Sequence, residues 1–156
     1  MGIFSGSPPT FSLGEKTGVA AKLNTLRDFA RAFTDPFSAW TPTLTQSATV
    51  TATATCGHIR AGKLVVAYYH GAVTGAGTAG NAVELALPVT AAGANRGGGA
   101  WWHLDSGVAH YTGYAAVHSA SVARFYRSGD TVAHGITLGT LSSGDTFSCV
   151  LIYEAA

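Results

Sequence analysis

Between Thr49 and Tyr153 the chain alternates short β-prone runs with turns built from Gly, Ala, Ser and Asp. The runs are Thr49–Cys56, Lys63–Val73, Ala82–Leu87, Ala100–Asp105, Val108–His118, Ser121–Tyr126, Val132–Leu138 and Thr146–Tyr153. The breaks include Ala61-Gly62, Gly75-Ala76-Gly77, Gly97-Gly98-Gly99, Ser128-Gly129-Asp130 and Ser143-Gly144-Asp145. Gly and Asp reach the backbone conformations that tight turns require, whereas β-branched and aromatic side chains pack well on a pleated surface. Short strands at this spacing predict a mainly β fold, an antiparallel β-sandwich or jelly roll. In the last run Phe147, Cys149, Leu151 and Tyr153 share one face and Ser148, Val150, Ile152 and Glu154 the other. Both faces carry apolar groups, so that strand is expected to be central in its sheet or flanked by a neighbouring subunit.

The pattern changes ahead of the β region. Val19, Leu23, Leu26, Ala30 and Phe33 recur at steps of four, three, four and three, which is the periodicity of an amphipathic helix. Thr17 can cap its N-terminus, and Phe29 widens the apolar face. Pro36 lacks an N–H and disfavours helical geometry at Asp35, so the helix is expected to stop near Thr34. The residues before it, with Pro8-Pro9 and several Gly and Ser, predict an extended tail carrying Ile3, Phe4, Phe11 and Leu13. The expected division is an N-terminal extended arm and one amphipathic helix over 1–36, then a β domain over 37–156, with Trp40-Thr41-Pro42-Thr43-Leu44 at the junction.

Composition narrows the function. A chain of 156 residues suits one core with an appendage. Charged residues make up 11%, against about 25% in an ordinary globular protein, which favours surface buried in an assembly. The apolar fraction of 47% argues against disorder. Net charge is +1 without a run of Lys or Arg, so no nucleic-acid or anionic-lipid partner is expected. No apolar stretch approaches the ~18 residues of a membrane span, and Met1–Thr10 has no secretory-signal pattern, so neither insertion nor secretion is expected. Cys56 and Cys149 stand far apart without CxxC spacing and are expected to be free thiols in strands. Strands so rich in Thr, Ala and Gly bury little area each, at about 25 cal/mol per Å². Homo-oligomerisation, most simply a trimer, would supply the remainder.

Chemistry would have to begin at the six histidines, His58, His70, His103, His110, His118 and His134. His103 and Asp105 stand at i and i+2 on one strand face and could pair, but no Gly-x-Ser-x-Gly elbow accompanies them. No HExxH, His-x-His or paired CxxC appears, so no metal and no cofactor are expected. The eight acids lie mostly in the helical region or in turns, where carboxylates usually cap backbone N–H groups. The Gly-rich stretches form neither GxGxxG nor a Walker loop. Trp101, Trp102, Tyr111 and Tyr114 are the candidate outward contacts for a ligand such as a sugar. The competing reading puts one Trp in the core and the other at an interface, because neighbouring strand residues point oppositely.

The order of several segments resembles virion proteins of tailed phages, especially those infecting actinobacteria. The segments are Ala20-Ala21-Lys22-Leu23-Asn24 with Leu26-Arg27-Asp28, then Trp40-Thr41-Pro42-Thr43-Leu44, Leu87-Pro88-Val89 and Ser143-Gly144-Asp145-Thr146-Phe147. The likeness runs from about Thr17 to Tyr153. It implies a trimeric β domain displayed outward on the virion surface, assembled in the host cytoplasm, with the N-terminal segment attached to the particle. Such families include capsid decoration proteins, minor tail proteins and fibres. The absence of internal repeats and heptads argues for a compact cap rather than a fibre. The expectation is a non-enzymatic decoration protein. Ile3, Phe4, Phe11, Leu13, Val19, Leu23, Leu26, Phe29 and Phe33 would bind the major capsid protein or adjacent copies. The alternative is a minor tail, baseplate or fibre protein whose β domain contacts the host surface, with tail proteins as partners.

Overall fold

The structure is a computed structural model that describes residues 19–34, 36–129 and 140–156. One helix, α1 (Val19–Thr34), precedes ten strands: β1 (Ser38–Ala39), β2 (Leu44–Gln46), β3 (Ala48–Val50), β4 (Ala52–Ala61), β5 (Leu64–Val73), β6 (Glu84–Ala86), β7 (Gly97–Asp105), β8 (Ala109–Val117), β9 (Val122–Arg127) and β10 (Thr146–Glu154). The chain is mainly β and every strand pairing is antiparallel.

The strands form one hydrogen-bonded order, β1-β4-β5-β10-β7-β8-β9-β6-β2-β3. β3 and β4 lie near opposite ends of that order, yet only Thr51 separates them in the chain. The two ends must therefore approach each other, and the sheet curls around its own interior. β10 inserts between β5 and β7, paired along its length on both sides, as its two apolar faces require. The expected strand Val132–Leu138 lies outside the described residues, and so does His134.

Alternation decides what fills the interior. Val65, Ala67, Tyr69 and Val73 of β5, Trp101 of β7, Ala115 and Val117 of β8, Phe125 of β9 and Phe147, Cys149, Leu151 and Tyr153 of β10 are all buried in one cluster. Small side chains dominate the strands, yet three aromatic rings close the centre. Trp101 stacks on Phe147 at 5.6 Å between centroids, and Phe125 meets Phe147 edge-on at 4.8 Å. Fully burying each such ring contributes about 1.5–3 kcal/mol, so the interior is not as poor as the Thr, Ala and Gly content suggests.

Gly97-Gly98-Gly99, expected to be a turn, is instead the first third of β7. A Cβ at Gly97 or Gly99 would fall on the backbone of β10, and one at Gly98 on the Ala115 carbonyl of β8. Close approach of neighbouring strands, not a chain reversal, accounts for the three glycines. Phe37 to Thr45, expected as a junction, contain the short strand β1 and the start of β2. Within β2, Gln46 is fully buried, accepting the Leu141 amide at 2.9 Å and donating to the Asn81 carbonyl at 3.3 Å.

The two cysteines are free, one in β4 and one in β10. Both lie in register with Tyr69 on the intervening β5, so they stand two strand spacings apart, about 9–10 Å, beyond disulfide reach.

Candidate interaction surface

The outward face of β5, β10, β7, β8 and β9 carries rows of side chains that run across the strands. Residues directly opposite in an antiparallel pair point to the same side. Register therefore aligns Tyr68, Val150, Ala100, Tyr114 and Tyr126 in one row. The adjacent row holds Thr55, His70, Ser148, Trp102 and Thr112. On the other side runs an aliphatic row of Ile59, Val66, Ile152, Gly98 and Ala116.

Several of these side chains remain open to solvent although they stand in the middle of a sheet. Trp102 is 47% exposed, Tyr114 49%, Val150 40% and Ile152 52%. Tyr114 and Tyr126 stack with centroids 5.1 Å apart and planes 9° from parallel. That separation matches the ~4.8 Å strand spacing, so the rings stand side by side and Tyr126 covers one face of Tyr114. Between Trp102 and Tyr114 lies an open hollow of about 440 Å³, lined by Ala100, Trp102, Thr112, Gly113, Tyr114 and Ser128 together with part of Trp101.

The four aromatic candidates separate. Trp102 and Tyr114 are on the outward face. Trp101 is 1% exposed and belongs to the core, where its Nε1 donates to the Tyr114 carbonyl at 3.1 Å and the Tyr126 carbonyl at 2.9 Å. Tyr111 packs against the core with its ring 5.7 Å from that of His103. Trp101 and Tyr111 are thus corrected as outward contacts, because both sit in inward register, Trp101 opposite Cys149 and Tyr111 opposite His103.

No protein family, curated protein or solved structure matches the chain.

His103 does not pair with Asp105. Its partner is Asp145, with Nε2 and Oδ2 3.3 Å apart and both side chains almost wholly buried. Asp145 also accepts the Ser106 amide at 2.9 Å and the Ser142 amide at 2.8 Å, so it clamps the β7–β8 turn to the approach to β10. The site is closed to a substrate, and its chemistry is that of a cap.

A Ser–His contact lies on the outward face. His70 Nδ1 is 2.6 Å from Ser148 Oγ, and Ser148 is fully buried beneath its larger neighbours. The strand around Ser148 is paired on both sides, so its backbone amides lie in the sheet ladders and are not aimed at a developing oxyanion. The pair acts as a cross-strand hydrogen bond. His58, at the β1–β4 edge, is buried and its Nδ1 has no hydrogen-bond partner among the described residues; burial lowers its pKa. Among those residues no cluster of three or more His, Cys, Asp or Glu could hold a metal, and no helix is long and apolar enough to cross a membrane.

The helix is the other candidate contact. α1 approaches the sheet at β4, but Val19, Leu23 and Leu26 of its apolar stripe are not buried by that approach. Val19 is 37% exposed, Leu23 54% and Leu26 42%. Ile3, Phe4, Phe11 and Leu13 lie outside the described residues, as do the side chains of Phe29 and Phe33.

Sequence reasoning missed Tyr126, His70, Ser148 and Val150 as members of the outward face. Only the pairing of β8 with β9 and of β10 with β5 brings them there. The one local signal is the apolar second face of the last strand.

Proposed function

We propose that the chain is a non-enzymatic structural protein of a phage particle, a homotrimeric capsid decoration protein that braces neighbouring capsomers through its N-terminal arm and helix. The observation that carries this reading is the exposure of Val19, Leu23 and Leu26 on α1. An amphipathic helix draws its stability chiefly from burying its apolar face, and Val19, Leu23 and Leu26 are left open by the protein's own β domain. A capsid surface or an adjacent copy would cover them. The low charge of the chain and its likeness to tailed-phage virion proteins point the same way. Repetition over the subunits of a ring multiplies a weak single contact into avidity.

The test is particle binding by a Leu23→Glu, Leu26→Glu variant. Both side chains are about half exposed, so the β domain should fold normally while capsid occupancy falls to background. Full occupancy by the variant would refute attachment through the helix.

A second reading is favoured by the exposed Trp102 and Tyr114: a minor tail, baseplate or fibre protein whose β domain contacts host-surface glycans. Copy number separates the two. Peptide quantification against the major capsid protein should give a simple fraction for a decoration protein and a few copies per particle for a tail protein.

A further inference from the structure

The hollow between Trp102 and Tyr114 has a composition that specifies a ligand class. Across β7 and β8, Trp102 stands opposite Thr112 and Ala100 opposite Tyr114. Large and small side chains therefore occupy opposite diagonals of one four-residue block. Diagonal neighbours on antiparallel strands lie about 7–8 Å apart, so the two aromatic residues flank a depression over Ala100 and Gly113.

Tyr126 covers one face of the Tyr114 ring and leaves the other free. Thr112 and Ser128 are exposed beside the depression, and their hydroxyls engage no other side chain among the described residues. Every described residue lining the hollow is uncharged. His70 and Ser148 continue the polar row beyond Trp102. Tyr114 and Tyr126 thus stand in one row, and the next row, two residues or about 6.6–6.8 Å away, sets the Trp102 indole beside the Thr112 hydroxyl.

We propose that this hollow is a binding site for a neutral carbohydrate. A pyranose ring suits aromatic and hydroxyl neighbours alike, with apolar C–H groups on its faces and hydroxyls at its edge. The C–H faces would lie on Trp102 and Tyr114, and the edge hydroxyls would exchange hydrogen bonds with Thr112 and Ser128. Absence of charge among the described lining residues selects against sulfated or uronic sugars, whose anionic groups would lose hydration without gaining a cationic partner there. An aliphatic protein surface fits the neighbouring row of Val66 and Ile152 better than it fits the hydroxyl-rimmed hollow. The inference rests on the second reading above for its biological setting, but its chemistry holds wherever in a particle the chain is placed.

The experiment is calorimetric titration of the full-length protein with neutral hexasaccharides of glucose, galactose and mannose, and with a sulfated hexasaccharide. At least one neutral sugar should bind and the sulfated one should not. Trp102→Ala and Tyr114→Ala should each weaken binding about tenfold or more, the change that a lost contact of about 1.4 kcal/mol produces. Unchanged thermal melting would show that both variants remain folded. Three results would overturn the proposal: no binding of any neutral hexasaccharide, binding that survives both substitutions, or a Trp102→Ala variant that dissociates to a smaller oligomer, which would make the face a contact between copies. A capsid-like copy number would refute the tail reading and leave this binding result standing.

Discussion

Asp145 offers the sharpest test of how this fold is held. Its carboxylate accepts two backbone amides, from Ser106 and Ser142, and faces His103 at 3.3 Å, while the residue is only 2% exposed. Asp145→Ala would leave the imidazole and both amides without this acceptor. Each buried polar group left unsatisfied costs about 1–3 kcal/mol, so the loss of one acceptor shared by three donors is expected to total about 3–5 kcal/mol. For a chain of this size that corresponds to a fall in melting temperature of about 6–20 °C. Asp145→Asn keeps one acceptor oxygen but turns an NH2 group toward an amide or the imidazole, and should cost about 1–3 kcal/mol. Urea unfolding followed by tryptophan fluorescence reads both, provided that protein concentration is matched in case subunits dissociate. The midpoint should shift with little change in slope. A double-mutant cycle with His103→Leu then apportions the loss between imidazole and amides. If Asp145→Ala unfolds within about 0.5 kcal/mol of the parent, as an ordinary surface change does, the clamp is not what joins these turns.

Other consequences follow from the same packing. Gly113→Ala places a methyl on the Tyr126 carbonyl and 2.9 Å from Trp101 Nε1, where it obstructs the indole hydrogen bond to that carbonyl. A loss of about 1–3 kcal/mol in urea unfolding is expected, and parental stability would contradict the close approach. Cys149 is 1% exposed and burial pushes its thiol up to about 12, so an aromatic disulfide reagent at neutral pH should label it only after unfolding; rapid native labelling would place it outside the core. Burial likewise raises Tyr69 and Tyr153 to about 12 from 10.0. Their neutral forms, like that of Cys149, are favoured in the folded state. Stability from these groups is therefore intact below about pH 9 and falls as pH rises from there toward 12. Urea midpoints measured from pH 8 to 11 should decline, and a flat profile would refute the assignment.

The local order of this fold is largely legible in the sequence. The helix stripe and Pro36 mark α1, which ends at Thr34. Alternation on two apolar faces marks β10 as central, and its ladders on both sides meet that expectation. Errors arise where a residue answers to a neighbour distant in the chain. Gly97-Gly98-Gly99 carries the local signature of a turn, but its absent side chains admit the backbones of β10 and β8. Asp105 satisfies the local geometry for pairing with His103, yet the buried partner comes from a turn 42 positions away.

The candidate surface carries the same lesson further. Each strand contributes one residue to a transverse row, so Tyr68, Ala100, Tyr114, Tyr126 and Val150 are collected from five strands and no stretch of sequence contains them together. Period-two alternation could say that Trp101 and Trp102 face opposite ways, but not which one faces in. That choice is made where Cys149 of the central strand stands opposite Trp101 and Ser148 opposite Trp102. A one-residue slip of that ladder would exchange the buried indole for the exposed one and dismantle the hollow. The residues that seal the core are thus the residues that orient the outward aromatics. Substitutions at Trp101 or Phe147 should be felt on the outer face as well as in stability, whereas Trp102 and Tyr114 can be changed with the core left intact.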